Sequence, residues 1–253
     1  MIGNSFSEDT VRYVYDIAHS SGIEKVLACN MYIGGCSIDT HFENAKSNAA
    51  AYDFQVYENG EWAHHPGKTL EYGIEFADWN IISLQQASGF SGIPSSYGNL
   101  QNLMDYVKSV ATNPDFEFAW NMTWAYQSDS AHGDFAKYDH CQISMYNAII
   151  DSVKSQVLTK NFDYIIPNGT AIQNARASFL GDTLTRDGFH LSYDIGRYIA
   201  GLTLVCALCK VNAHDVGFAP DGVTDKQKNI CAESVVNAIK SPLRVADRFA
   251  SEN

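Results

Sequence analysis

Residues 2–7 read IGNSFS, and the fold follows from what this stretch is. Met1-Ile2 is the stub of an apolar strand, Gly3-Asn4-Ser5 a turn, and a helical pattern follows near 8–20. A strand that turns directly into a helix is the first half of a βαβ unit, so the rest of the chain should repeat the alternation. It does. Further strands are expected at EKVLACNM (24–31), WNIISLQ (79–85), FEFAWNMTW (116–124) and FDYIIP (162–167), with helices near 98–112 and 138–159 and a short one near 170–178. The expected fold class is α/β, with a central, mostly parallel five-stranded sheet and helices on both faces.

One stretch breaks this rhythm. AYDFQVYENGEWAHH alternates in polarity around Asn59-Gly60 and reads as a hairpin near 52–65, a small excursion before a helix near 69–77. A long apolar helix starts near Tyr193, and TDKQKNICAESVVNAIKSP reads as a last helix stopped by Pro242. No repeat or low-complexity linker interrupts the chain, so residues 1–253 are taken as one domain.

The composition narrows the partners. With 45% apolar and 18% charged residues, the 253-residue chain resembles an ordinary globular protein, and its formal net charge of −12 opposes phosphate backbones. Nucleic acid and anionic membrane faces are therefore disfavoured, and a small neutral ligand such as a sugar ester is easier to admit. No stretch of about 18 uncharged apolar residues is present to span a bilayer. No signal peptide is visible, but the chain opens on the candidate catalytic turn, which leaves cytoplasmic and secreted locations both open. Cys206 and Cys209 form a C-x-x-C inside an apolar helical run, where that spacing also serves packing; free thiols and no metal are expected.

In open α/β sheets ligands bind beyond the carboxyl ends of the strands. The loops there, GNSFSED, YIGGCS, QASGFSG, AYQSDS and NGTAIQ, are rich in hydrogen-bonding residues rather than metal ligands. The strongest local signal is RDGFHLS (186–192), which sets Asp187 three residues before His190. That spacing lets the carboxylate orient one imidazole nitrogen and leaves the other free, although a helix-capping turn has the same pattern. Ser5 is either a helix cap or a nucleophile whose own N–H faces developing negative charge; Ser7 as the cap would free it.

GNSFS near the start, GGCS after the second strand and DGFHLS near the end, in that order, resemble the SGNH (GDSL-type) hydrolase superfamily. LQQASG, WAYQ, IPNGTAIQNAR and RDGFHLS…GRYIAGL resemble a bacterial subgroup of that superfamily of unknown function. The resemblance implies a flavodoxin-like α/β/α sandwich and ester hydrolysis by a Ser5–His190–Asp187 triad, without a cofactor. Asn4 stands where the family usually has aspartate. Gly35, or Gly34, matches the glycine whose N–H joins that of Ser5 in the oxyanion hole. The family's G-x-N-D, whose asparagine is the third donor, is replaced by LQQASG, so Gln86 or Gln85 is expected to present an amide there.

Trp124 and Tyr126, just past a strand end, either stack on substrate or seal the core. His41, one turn past Gly35, either faces the pocket or caps a helix. His64-His65 reads as exposed loop, Arg176 is open between substrate contact and a surface pair, and Glu8 and Asp9 read as first-turn helix acids. The expected activity is hydrolysis of short acyl esters, above all acetyl groups on carbohydrates. A lipase or thioesterase, acyl transfer to another sugar, and a non-catalytic carbohydrate-binding protein on the same scaffold are the alternatives.

Overall fold

The sheet is built around its shortest strand. In the computed structural model, which describes residues 1–58 and 60–246, β1 (Ile2–Gly3) pairs in parallel with β2 (Cys29–Tyr32) on one side and β5 (Ile81–Leu84) on the other. Two residues suffice because both neighbours supply ladder partners and Ile2 is buried at 3% exposure. The expected strand at 24–31 shrinks to Cys29–Tyr32, of which Met31 and Tyr32 pair with β1. Continuing outward, β5 pairs in parallel with β6 (Glu117–Asn121) and β6 with β7 (Tyr164–Ile166).

The expectation of five strands needs correction. Among the described residues the sheet has seven, in the order β4-β3-β2-β1-β5-β6-β7, and it is mixed. The hairpin of β3 (Tyr52–Glu58) and β4 (Glu61–Lys68) is not an excursion: β3 adds antiparallel to the edge of β2, with Cys29 opposite Val56 and Tyr32 opposite Asp53. The reason is the alternation itself. Tyr52, Phe54 and Val56 are 0–2% exposed on one face, and a lone two-stranded hairpin cannot cover such a face. β4 is left as the outer edge, mostly exposed and carrying Pro66 and Lys68, residues that discourage further pairing. Asn59 of the turn lies outside the described residues; Gly60 has φ +88°.

The helices fall into two groups by contact. α1 (Ser5–Val11), α2 (Val14–Ser20), α7 (Asn168–Arg176), α8 (Ile195–Cys209) and α9 (Asp225–Lys240) pack together, and α3 (Ile38–Ser47), α4 (Leu70–Glu75) and α5 (Leu100–Val110) form the other set. The helix expected over 8–20 starts earlier, because the Asn4 side chain accepts from Phe6 N–H, and breaks at Arg12-Tyr13. The α3 helix carries no expectation from the sequence; Ser37 caps its start and Asn48, at φ +46°, ends it. α6 (Gln142–Ser152) continues into a single π-helical turn at Val153–Val157. α8, apolar on nearly all sides, lies among α1, α2, α7, α9 and β7, which buries Cys206 and pushes its thiol up to about 12. All six cysteines are free.

The five parallel strands run β2-β1-β5-β6-β7. The chain thus leaves β1 to one side for β2 and later returns to the other side for β5, making the β1–β5 boundary the point where strand order reverses. Crevices open at such points, beyond the carboxyl ends of the strands.

Candidate active site

The β1-to-α1 turn places Ser5 as the first residue of α1. Its Oγ lies 2.8 Å from His190 Nε2, and His190 Nδ1 lies 2.6 Å from Asp187 Oδ2. With Nδ1–H donated to the carboxylate, Nε2 accepts a hydrogen bond from the Ser5 hydroxyl. Asp187 Oδ1 also accepts the backbone N–H groups of His190 at 2.8 Å and Phe189 at 3.2 Å. Partial burial of Asp187 raises its pKa, but the hydrogen bonds from the His190 ring and from these two N–H groups outweigh it and hold the carboxyl below the ordinary range. The turn depends on Gly188, which has φ +89° and whose added Cβ would meet Ser130 Oγ at 3.0 Å and Ser130 Cα at 3.1 Å.

Across from Ser5, the loop after β2 presents Gly35 at φ +64°. Neither Ser5 N–H nor Gly35 N–H has a hydrogen-bond partner among the described residues. Both residues line a cleft of about 370 Å³, together with Tyr32, Ser88, Phe90, His132, Phe189 and His190. Arg186, Glu8 and Asp134 give this cleft charge of both signs. A second cavity, about 350 Å³, lies among Ile2, Val14, Ile74, Trp79 and Leu204; it contains no member of the triad.

Three buried devices hold the parts in register. Asp9, on α1 and fully buried, accepts from Arg197 Nε at 2.7 Å, Arg186 Nη1 at 3.0 Å and Leu191 N–H at 2.8 Å. It is therefore an ionic hub tying the helix that begins at Ser5 to the His190 loop, not a surface helix acid. Secondly, Arg176 Nε lies 2.8 Å from Asp182 Oδ1, off the hydrogen-bond direction, and its Nη1 donates to Ala125 O at 3.0 Å. Burial lowers Arg176 to about 10, which still leaves it charged at neutral pH. This pair anchors the segment leading to Asp187, and Gln127 N–H donates to Gly188 O at 2.8 Å beside it.

The third device is a chain of amides beneath the strand ends. Asn168 Nδ2 donates to Asn121 Oδ1 at 2.8 Å, Asn121 Nδ2 to Gln85 Oε1 at 2.7 Å, and Gln85 Nε2 to Asn4 Oδ1 at 2.8 Å. Asn4 Nδ2 then donates to Cys36 O at 3.1 Å, next to Gly35. Ser7, the alternative cap, has its Oγ 2.7 Å from Asn4 O and 2.7 Å from Asn30 Oδ1.

Of the residues expected at the site, Ser5, Asp187, His190 and Gly35 converge, Gly34 lines the same cleft, and Gln85, Gln86, Trp124, Tyr126 and His41 do not. Gln86 is 0% exposed; its Oε1 accepts from Ile38 and Ala87 N–H and its Nε2 donates to Ser96 O and Oγ, so no donor is left for an oxyanion. It caps α3. Gln85 belongs to the buried amide chain. Trp124 stacks on Phe6 at 4.2 Å and donates to Phe189 O at 2.8 Å, behind the cleft wall. Tyr126 is equally buried, its hydroxyl 2.9 Å from Ser88 Oγ. His41 is 1% exposed, with Nδ1 3.0 Å from the Tyr52 hydroxyl, and burial lowers it to about 3. His64 and His65 stand exposed on β4, His64 paired with Asp53 at 2.7 Å. The aromatic lining comes instead from Tyr32, Phe90, His132 and Phe189. Phe90 and Phe189 sit inside the quoted loop motifs, and that is the signal by which they were open to discovery. Among the described residues no three His, Cys, Asp or Glu side chains converge on a metal position, and no helix is long and apolar enough to cross a membrane.

Fold and site together define an α/β protein with a serine–histidine–aspartate array at the strand-order reversal of its sheet. The chain belongs to the DUF4886 family, described as a domain of unknown function, whose model matches residues 1–238. A crystal structure of a DUF4886 family protein from Bacteroides uniformis ATCC 8492 superposes with a TM-score of 0.94 at 38% identity, covering 97% of this chain and 95% of that one. No curated protein matches.

Proposed function

We propose that this protein is a serine esterase of the SGNH kind, on a flavodoxin-like α/β/α frame, that removes short acyl groups, above all acetyl, from carbohydrates. One observation carries the reading: the continuous contact from Ser5 Oγ through the His190 ring to Asp187, with two free backbone N–H groups beside the serine. In the reaction His190 Nε2 takes the Ser5 proton as Oγ bonds to the ester carbonyl carbon, and the electron pair moves to the carbonyl oxygen. Ser5 and Gly35 N–H stabilise that oxyanion. Collapse breaks the bond to the alcohol, which leaves with the proton from His190; water, deprotonated by the same nitrogen, then releases the acid and restores Ser5. Asp187 keeps the imidazole oriented and offsets its positive charge.

The cleft volume and its mixed charge favour a small acyl group on a polar alcohol over a long chain. Comparing p-nitrophenyl acetate with the octanoate tests this: rates that rise steeply with chain length would replace the acetylesterase with a lipase or thioesterase. Covalent labelling tests the nucleophile. A fluorophosphonate should add one phosphonyl group to the peptide containing Ser5, and His190→Ala should slow that addition by about 10²-fold or more. Phosphonylation of another serine would contradict the assignment.

A further inference from the structure

With Gln85 and Gln86 committed elsewhere, the cleft has two backbone donors and two side-chain hydroxyls that no role yet absorbs, those of Tyr32 and Ser88, and Ser88 has a buried partner that fixes its direction. Ser88 follows β5 as Ser5 follows β1, and the two strands pair in parallel with Ile2 opposite Leu84. Ser5 is thus flanked by the Gly35 loop on the β2 side and by Ser88 on the β5 side, and all three line the same cleft.

The direction of the Ser88 proton follows from its neighbour. The Tyr126 hydroxyl is 2.9 Å from Ser88 Oγ, and Tyr126 is 0% exposed. Burial raises the phenol's pKa, so it keeps its proton. Among the described residues Ser88 Oγ is the one acceptor that phenol reaches. If Ser88 donated to Tyr126 instead, the buried phenolic proton would have no acceptor, at a cost of about 1–3 kcal/mol. Tyr126 therefore donates, and the Ser88 proton is left for the cleft. The loop is held as well: the Tyr138 hydroxyl accepts from Gly92 N–H at 3.0 Å and donates to Gly89 O at 3.1 Å.

Resting on the esterase reading above, we infer that Ser88 is a catalytic residue, the third donor to the transition-state oxyanion, with Tyr126 the positioning residue that aims its hydroxyl. A donor oriented before the reaction begins stabilises charge without reorganisation. The test measures kcat and KM for p-nitrophenyl acetate with wild type, Ser88→Ala, Ser88→Thr, Tyr126→Phe and Ser5→Ala. Ser88→Ala should lower kcat by about 10²-fold at nearly constant KM. It should weaken a boronic acid transition-state analogue by a similar factor and leave the pH profile in place. Ser88→Thr, which keeps the hydroxyl, should recover most of the rate, and Tyr126→Phe should lose less than Ser88→Ala. If Ser88→Ala does not fold, Ser88→Cys supplies the same comparison with a weak donor. Wild-type kcat in Ser88→Ala, beside an inactive Ser5→Ala, would overturn the inference alone. Turnover surviving Ser5→Ala would overturn the esterase reading and the inference with it.

Discussion

His41 shows how much one buried side chain costs at low pH. Held against Tyr52 with its Nε2 unpartnered, it stays neutral in the folded state, where its pKa is lowered to about 3. The unfolded chain takes up a proton near the ordinary histidine value of about 6.5 and the folded protein does not. Stability is therefore full above about pH 6.5 and falls as the pH drops towards 3, by roughly 1.4 kcal/mol per pH unit from this group. Urea midpoints measured from pH 7 to 5 should show that slope, and His41→Gln should flatten it; a parallel decline in both proteins would contradict the assignment. His41 follows the GGCS turn in sequence just as a pocket residue would, and nothing local distinguishes a ring turned inward from one turned outward. Asp187 and His190 are different. Their pairing is contained within four residues, so the spacing made the geometry legible, beside the capping turn that shares it.

At the scale of elements, the strands that pair in parallel were readable from apolar runs, and their lengths were not. A strand ends where its neighbours stop offering hydrogen bonds: β1 reaches Met31 and Tyr32 of β2, and β3 pairs with Cys29 and Asn30 as well. The hairpin was readable too, from its polarity and its Asn59-Gly60 turn, but its attachment to β2 depends on which sheet edge is open. The helix near the start shows the same limit: periodicity continues through 8–20, while Arg12-Tyr13 breaks it. The attachment of β3 has a measurable consequence. Phe54 is 1% exposed and packs on Phe76 at 4.8 Å and Tyr72 at 5.4 Å. Phe54→Ala should cost about 3–5 kcal/mol in urea unfolding. A loss under about 0.5 kcal/mol is what a peripheral excursion would give.

For the whole molecule, the sheet topology does what no single motif does. It brings the first turn, the loop after β2 and a segment nearly two hundred residues on to one crevice, then locks them with Asp9, the Arg176–Asp182 pair and the amide chain ending at Asn4. The block order in the sequence anticipated that convergence; the locking residues stayed hidden, because a buried aspartate or glutamine looks like a surface one until its partners arrive from elsewhere. The acidic surface, at net charge −12, suits neutral esters. The central claim is that Ser5 performs acyl chemistry, and hydrolysis of p-nitrophenyl acetate by wild type and Ser5→Ala tests it most directly. With the variant folded by circular dichroism, its turnover should fall at least about 10³-fold, the oxyanion donors alone leaving a small residue above the uncatalysed reaction. Equal rates in the two proteins would contradict the account.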